Sequence, residues 1–379
     1  MVGWSRSLGW HCREKSANLV RMKRPLLSLC CLLAVIAPGV AGGAQVRFDE
    51  AGTALVNGKP FFPIGLFTYS LDEPIIAEIR RQGFNTVTLL TEHHEPAQLD
   101  RVQKEGWMAV CPPEEKWVRV ATNHPALLAW YLSDEPEGHG HTPASLRDKY
   151  LQLKARDPNH PIALDHFMWE ALANYKDACD FTMTSVYPLT ATNPAPVTHV
   201  GLFIDHTRSL HRPNWTHWPF IQIFGGVDCE DGKWKQPEPA EVRAMVYNGL
   251  VHRANGIFYF SYWPKAPKTW AAVGVLNDEL RRMTPWLVAQ GRELETKSSL
   301  PEVQVRAKSV DDRKTGLVLL NNTTAQPHYV EISIPELPAG ELRELFTHHT
   351  FKPVKNRFTE KMGPYDTRAY VWGEKTPGI

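Results

Sequence analysis

The stretch His124-Pro125-Ala126-Leu127-Leu128-Ala129-Trp130-Tyr131-Leu132-Ser133-Asp134-Glu135-Pro136 decides how this chain is read. From Leu127 to Leu132 the residues are continuously apolar or aromatic, which suits a strand buried on both faces of a parallel sheet rather than one with a wet side. The strand then runs straight into two adjacent acids and a proline that stops it. Two carboxyls at the end of a buried strand are a candidate acid/base site, because a carboxyl beside an apolar wall and a second carboxylate holds its proton to higher pH.

Working outward, the same kind of apolar run recurs at 61–69, 84–92, 107–112, 161–166, 181–187, 219–225 and 256–262, which with 127–134 makes eight strands. Segments with helical spacing separate them at 72–82, 95–105, 115–125, 143–157, 168–178, 198–211 and 238–254, and another follows at 277–296. Strict alternation predicts a parallel sheet, and that count predicts closure into a (β/α)8 TIM barrel. No glycine-rich phosphate turn follows an early strand, so the usual nucleotide-binding reason for an open sheet is missing. Thr142-Pro143 has the form of an N-cap followed by a first-turn proline, and Gly83 and Gly106 stand where helices hand over to strands.

Before the barrel, 46–49 and 54–56 read as a hairpin, and after residue 300 only short strands follow, at 303–309, 316–321, 328–334, 341–346 and 366–372. The expected domains are therefore an N-terminal extension over 1–44, a barrel over 45–300, and a small antiparallel β domain resembling a sandwich over 301–379. Within the extension, Met22-Lys23-Arg24 and the apolar run from Leu26 to Val40 predict a secretory signal that starts at Met22, and hence a secreted or periplasmic protein with no membrane span when mature. Past that signal only Cys111, Cys179 and Cys229 remain, too few and too scattered for a disulfide framework or a cysteine zinc site.

The 42 Lys and Arg nearly cancel the 41 Asp and Glu, so no global field draws the chain to nucleic acid. A neutral partner is expected, and 13 Trp, 11 Tyr and 15 Phe supply flat faces suited to sugar rings. No cofactor is called for. His93, His94, His139, His141 and His166 invite a metal, yet none shows the i, i+4 spacing with Glu of a helical zinc site.

Catalytic groups of a barrel project from the C-terminal strand ends. There the sequence places Glu135 and Asp165 as catalytic candidates and Tyr69, Glu92, Asp134, His166, Tyr187, Gln222, Tyr262 and Trp263 as substrate-binding candidates.

The chain resembles the clan A glycoside hydrolases, retaining enzymes built on (β/α)8 barrels. The resemblance rests on Val56 to Gly65 entering the first strand, Phe84-Asn85-Thr86-Val87, the stretch around Glu135, Ser185-Val186-Tyr187-Pro188, and Gly256-Ile257-Phe258-Tyr259-Phe260-Ser261-Tyr262. It implies that Glu135 is the general acid/base, that Asp134 stands where such enzymes usually carry an Asn on the sugar 2-hydroxyl, and that Tyr187 is the aromatic near the nucleophile. At the seventh strand the clan's nucleophilic Glu is replaced by Gln222, and an amide is a poor nucleophile. Asp165 or Glu92 acting as base on a water, Asp228, Glu230 or Asp231 swinging in from the next loop, or help from the substrate's own acetamido group all remain open. The expected function is hydrolysis of a β-linked oligo- or polysaccharide with Glu135 as acid and Asp165 as its catalytic companion. A non-catalytic carbohydrate-binding barrel is the alternative that Gln222 favours, and a metal-dependent hydrolase is a third.

Overall fold

The computed structural model describes residues 42–90, 93–226, 229, 231–262, 266–373 and 376–377. The predicted signal segment lies outside the described residues, as do Glu92, Asp228, Glu230 and Trp263.

Three short strands, β1 (Val46–Phe48), β2 (Ala54–Val56) and β3 (Lys59–Phe61), form an antiparallel sheet. The hairpin was expected and β3 was not; its Pro60 interrupts the apolar pattern. This sheet closes the bottom of the barrel: Val46 N–H donates to the Asn159 carbonyl (2.9 Å), and the Phe48 ring meets Phe181 edge-on at 5.3 Å.

The barrel strands are β4 (Ile64–Phe67), β5 (Thr86–Thr88), β6 (Met108–Cys111), β7 (Leu127–Ser133), β8 (Ile162–His166), β9 (Phe181–Thr184), β10 (His217–Gln222) and β11 (Ile257–Phe260). Each pairs in parallel with the next, and β11 returns to β4, which closes the ring. All eight fall within or beside the expected runs. Side chains such as Phe67, Met108, Leu128, Phe181, Trp218 and Phe258 fill the interior, so the barrel is packed rather than hollow.

Around it lie α1 (Glu73–Arg81), α2 (Leu99–Lys104), α3 (Glu115–Ala121), α4 (Pro143–Arg156), α5 (Leu172–Tyr175), α6 (His199–Leu210), α7 (Pro239–Val251) and α8 (Pro267–Val288). Thr142 does cap α4, its hydroxyl accepting from Ser145 N–H at 3.2 Å. Gly83 and Gly106 hold φ of 75° and 73°, the left-handed conformation that ends a helix without a Cβ clash. The last helix corrects the sequence: 277–296 was expected, whereas α8 begins at Pro267 and stops at Val288. Its proline start was hidden in a run read as loop, and Gly291–Leu294 is already strand β12.

The remaining strands are β13 (Lys297–Ser298), β14 (Val303–Val310), β15 (Thr315–Asn322), β16 (His328–Ser333), β17 (Leu342–Glu344), β18 (Thr350–Phe351), β19 (Arg357–Met362) and β20 (Thr367–Trp372). They form a six-stranded sheet, β12-β14-β15-β20-β17-β18, facing a three-stranded one, β13-β16-β19. Strand β15 is buried throughout because both its faces are covered: Leu317 and Leu319 join the core under α7 and α8, while Val318 and Leu320 face the second sheet. Polar ties reinforce this contact, including Asn321 to the Ala244 carbonyl (3.0 Å) and Trp286 to Thr315 (3.0 Å). Among the described residues no helix is long and apolar enough to cross a membrane.

Candidate active site

Strand β7 positions the two acids. Trp130 turns out to the helix layer and donates to Asp157 at 2.8 Å, while Tyr131 packs in the barrel interior with its hydroxyl on Asp134 (2.6 Å). The β7–β8 register shifts between Tyr131 and Ser133, a bulge-like irregularity that re-aims the strand end. Glu135 follows with φ of 40°, a left-handed backbone that a non-glycine residue adopts at a cost and that clusters at functional sites. Its carbonyl is fixed by Gly138 N–H (2.8 Å) and His139 N–H (3.1 Å).

The Glu135 carboxyl is partly buried, and none of the described groups donates a hydrogen bond to it. Burial, then the neighbouring Asp134 and Glu137 carboxylates, push its pKa from 4.5 up to about 8. It is therefore protonated at neutral pH, the state a proton donor needs. Asp134 is exposed beside it.

At the end of β8, Asp165 is fully buried; Ser185 donates to one carboxyl oxygen, and the other has no hydrogen-bond partner among the described residues. Burial, with Asp134 and Glu135 acting next, holds its pKa well above the usual carboxylate range. The electrostatic coupling joins the strand ends of β7 and β8 in one cluster of acids. Tyr187 belongs to it: Asp165, Glu135 and Asp134 all act on its hydroxyl, and its ring stacks on Phe260 at 5.5 Å and meets Phe224 edge-on at 4.9 Å. Tyr69 reaches the same mouth from the end of β4, under the influence of Asp134; burial pushes its pKa up to about 12.

Three expected residues take other places. His166 is buried with its Nδ1 on Glu137 Oε2 (2.9 Å), so it supports the site from behind. Gln222 is fully buried and its amide ties two loops together: its oxygen accepts from Leu189 N–H (2.9 Å), and its nitrogen donates to the carbonyls of Leu189 (3.0 Å) and Phe224 (3.3 Å). It presents no polar atom to the mouth. Tyr262 packs edge-on against Trp270 at 5.1 Å, under the influence of Glu78 and Arg81 of α1, away from the acid cluster.

Glu137 is the residue the sequence did not single out. Besides His166, it accepts from Phe167 N–H (2.9 Å) and Met168 N–H (3.0 Å) through its other oxygen. Burial pulls its pKa upward, but the His166 ring and these N–H groups outweigh that and hold it below the ordinary value. The signal was present as a third acid in Asp134-Glu135-Pro136-Glu137, though nothing local distinguished it from a solvated loop residue.

Among the described residues no group of three His, Cys, Asp or Glu side chains is arranged to hold a metal ion. A cavity of about 530 Å³ lies elsewhere, lined by Arg81 of α1, Glu279 and Arg282 of α8, and Phe346 of the β module.

Comparison with protein-family models and with curated protein sequences finds no match. Solved structures do match. A GH42 β-galactosidase, Gan42B, aligns with a TM-score of 0.56 at 9% identity over 88% of this chain and 100% of its own. An Anoxybacillus α-amylase gives 0.52 at 12% identity over 81% and 90%, and a GH30 endoxylanase from Clostridium papyrosolvens gives 0.51 at 10% identity over 88% and 98%. At such identities the likeness is one of fold: an eight-stranded barrel with a trailing β module, the architecture of these glycoside hydrolases.

Proposed function

We propose that this chain is a glycoside hydrolase that cleaves a β-linked glycan, with Glu135 donating the proton to the glycosidic oxygen. The observation that carries this is the placement of Glu135: a left-handed residue at the end of the fourth barrel strand, holding its proton at neutral pH with no basic partner. Protonation lets the leaving sugar depart as an alcohol while positive charge develops on the ring left behind. Asp165 is the second carboxylate in this reading. Burial favours its protonated form and the positive charge developing on the ring favours ionisation; in the ionised form it either stabilises that charge or takes a proton from the attacking water. Tyr69 and Tyr187 form the walls against which the sugar ring lies. The fold likeness to galactosidase, amylase and xylanase structures supports a carbohydrate substrate. Export belongs to the same reading and rests on the apolar run from Leu26 to Val40 after Met22-Lys23-Arg24.

The test is product release from a panel of β-linked oligosaccharides. Glu135→Gln should lower turnover by about a thousandfold while leaving the circular dichroism spectrum unchanged. Undiminished turnover in that variant would end the assignment. A second reading, a carbohydrate-binding barrel without turnover, is supported by Gln222, whose amide serves the backbone at the strand end where such hydrolases carry a nucleophile. Saturable glycan binding with no product after prolonged incubation selects it.

A further inference from the structure

Beyond the acid cluster, the loop after β8 carries an unusual surface. Phe167, Met168 and Trp169 are consecutive and are 37%, 40% and 37% exposed. Three large apolar side chains in a row facing water cost hydration free energy that a folded chain avoids unless the patch meets something. The patch is also held rigid. Glu137 grips the Phe167 and Met168 N–H groups, and the Trp169 ring stacks on His206 at 3.8 Å and 10° while meeting Phe203 edge-on at 5.3 Å.

Its position relates it to the acid. The Phe167 ring lies over Gly138, where a Cβ would stand 3.1 Å from Phe167 Cε1 and 3.4 Å from the Glu135 carbonyl oxygen. Gly138 therefore permits a close approach between the aromatic loop and the Glu135 turn. The other aromatic wall, Tyr187 stacked on Phe260, lies on the barrel-axis side. The exposed Phe167 ring thus lies beside the main-chain turn of Glu135, and the Glu135 carboxyl acts on the Tyr187 hydroxyl. A proton donor acts on the oxygen linking two sugar rings, so an aromatic face beside the donor's own turn is placed to receive one of those rings.

Resting on the proposed hydrolase reading, we infer that Phe167 and Trp169 form a platform for the sugar ring on the leaving-group side, and that the glycan is uncharged. The uncharged class follows from Asp134, an acid exposed at the mouth beside Glu135, next to which a uronate or sulfated ring would be repelled. Glu137 is a positioning residue for this platform.

The test uses the full chain and two substrates of the sugar that it cleaves: a neutral β-linked hexasaccharide, and the matching glycosyl fluoride, which has no leaving-group ring. Phe167→Ala and Trp169→Ala should each lower the ratio of kcat/KM for hexasaccharide over fluoride about tenfold, and Phe167→Tyr should restore it. A ratio unmoved by either alanine variant overturns the platform, as does an equal fall for both substrates. Calorimetric binding of the hexasaccharide to the Glu135→Gln protein separates this inference from the hydrolase reading. Binding weakened about tenfold by Phe167→Ala, in a chain that releases no product from any substrate, upholds the platform while the hydrolase reading falls. Binding of a polyuronate hexamer as tight as that of the neutral glycan overturns the uncharged class.

Discussion

At the scale of single residues, the account turns on where protons sit. Glu135 is raised from 4.5 to about 8, so the acid form predominates below that value. Hydrolysis should hold through neutrality and fall as pH rises through about 8, which a kcat/KM profile will show. The same shift works on stability with a definite sign. The folded state binds this proton more tightly than the unfolded chain, so the burden of an ionised Glu135 is absent below the unfolded value and grows between about 4.5 and 8. Glu135→Gln should therefore raise Tm more at pH 8.5 than at pH 5, and an equal difference at both would contradict the shift. Glu137 works in the opposite direction, because its lowered pKa gives stability that is present above the ordinary carboxylate value and lost as pH falls through the folded one. Both it and His166 are nearly inaccessible, so Glu137→Ala leaves a buried ring and two N–H groups without their acceptor. Urea titration should show a loss of about 3 kcal/mol.

At the scale of elements, Gln222 illustrates how a strand end can be read correctly in place and incorrectly in purpose. Its position at the end of β10 was legible, but its hydrogen bonds go to backbone groups brought in by the chain near Leu189 and Phe224. Gln222→Glu would set a carboxylate against carbonyl acceptors in a buried site, and should destabilise the fold by about 2 to 4 kcal/mol without improving hydrolysis. Higher turnover in that variant would restore a nucleophile to the seventh strand. The eight strands themselves were readable because burial on both faces leaves continuous apolar runs such as Leu127 to Leu132. The start of α8 was not, since Pro267 opens it after a stretch rich in proline and lysine, and the helix-like pattern ran on into β12. Tyr262 and His166 likewise stand at strand ends, yet contacts that no local pattern shows, with Trp270 for one and Glu137 for the other, draw them away from the mouth.

At the scale of the molecule, the β module and the barrel share one core. Leu317, Leu319 and Val371 pack into the same apolar layer as Met245 and Leu280 of α7 and α8. Arg243 of α7 grips Glu279 of α8 (2.8 and 2.7 Å) and Thr367 of β20 (2.6 Å). Calorimetry of the chain should therefore show a single cooperative transition over barrel and module together, and removal of 291–379 should leave a protein that aggregates through the bared face of α7 and α8. Two separate transitions would mean that the modules fold independently. That a barrel with a trailing β module exists was legible in the change from alternating elements to strands alone near residue 300; that the two share a core was not, because it depends on which face of β15 meets which helix.

The most direct test of the whole account is the protonation of Glu135 itself, followed by infrared difference spectroscopy of wild type against Glu135→Gln across a pH titration. The account predicts a protonated carboxyl band belonging to this residue that persists at pH 7 and disappears with a midpoint near 8. A band already lost near the ordinary carboxylate value of 4.5 would contradict it, because an acid ionised at neutral pH has no proton to give.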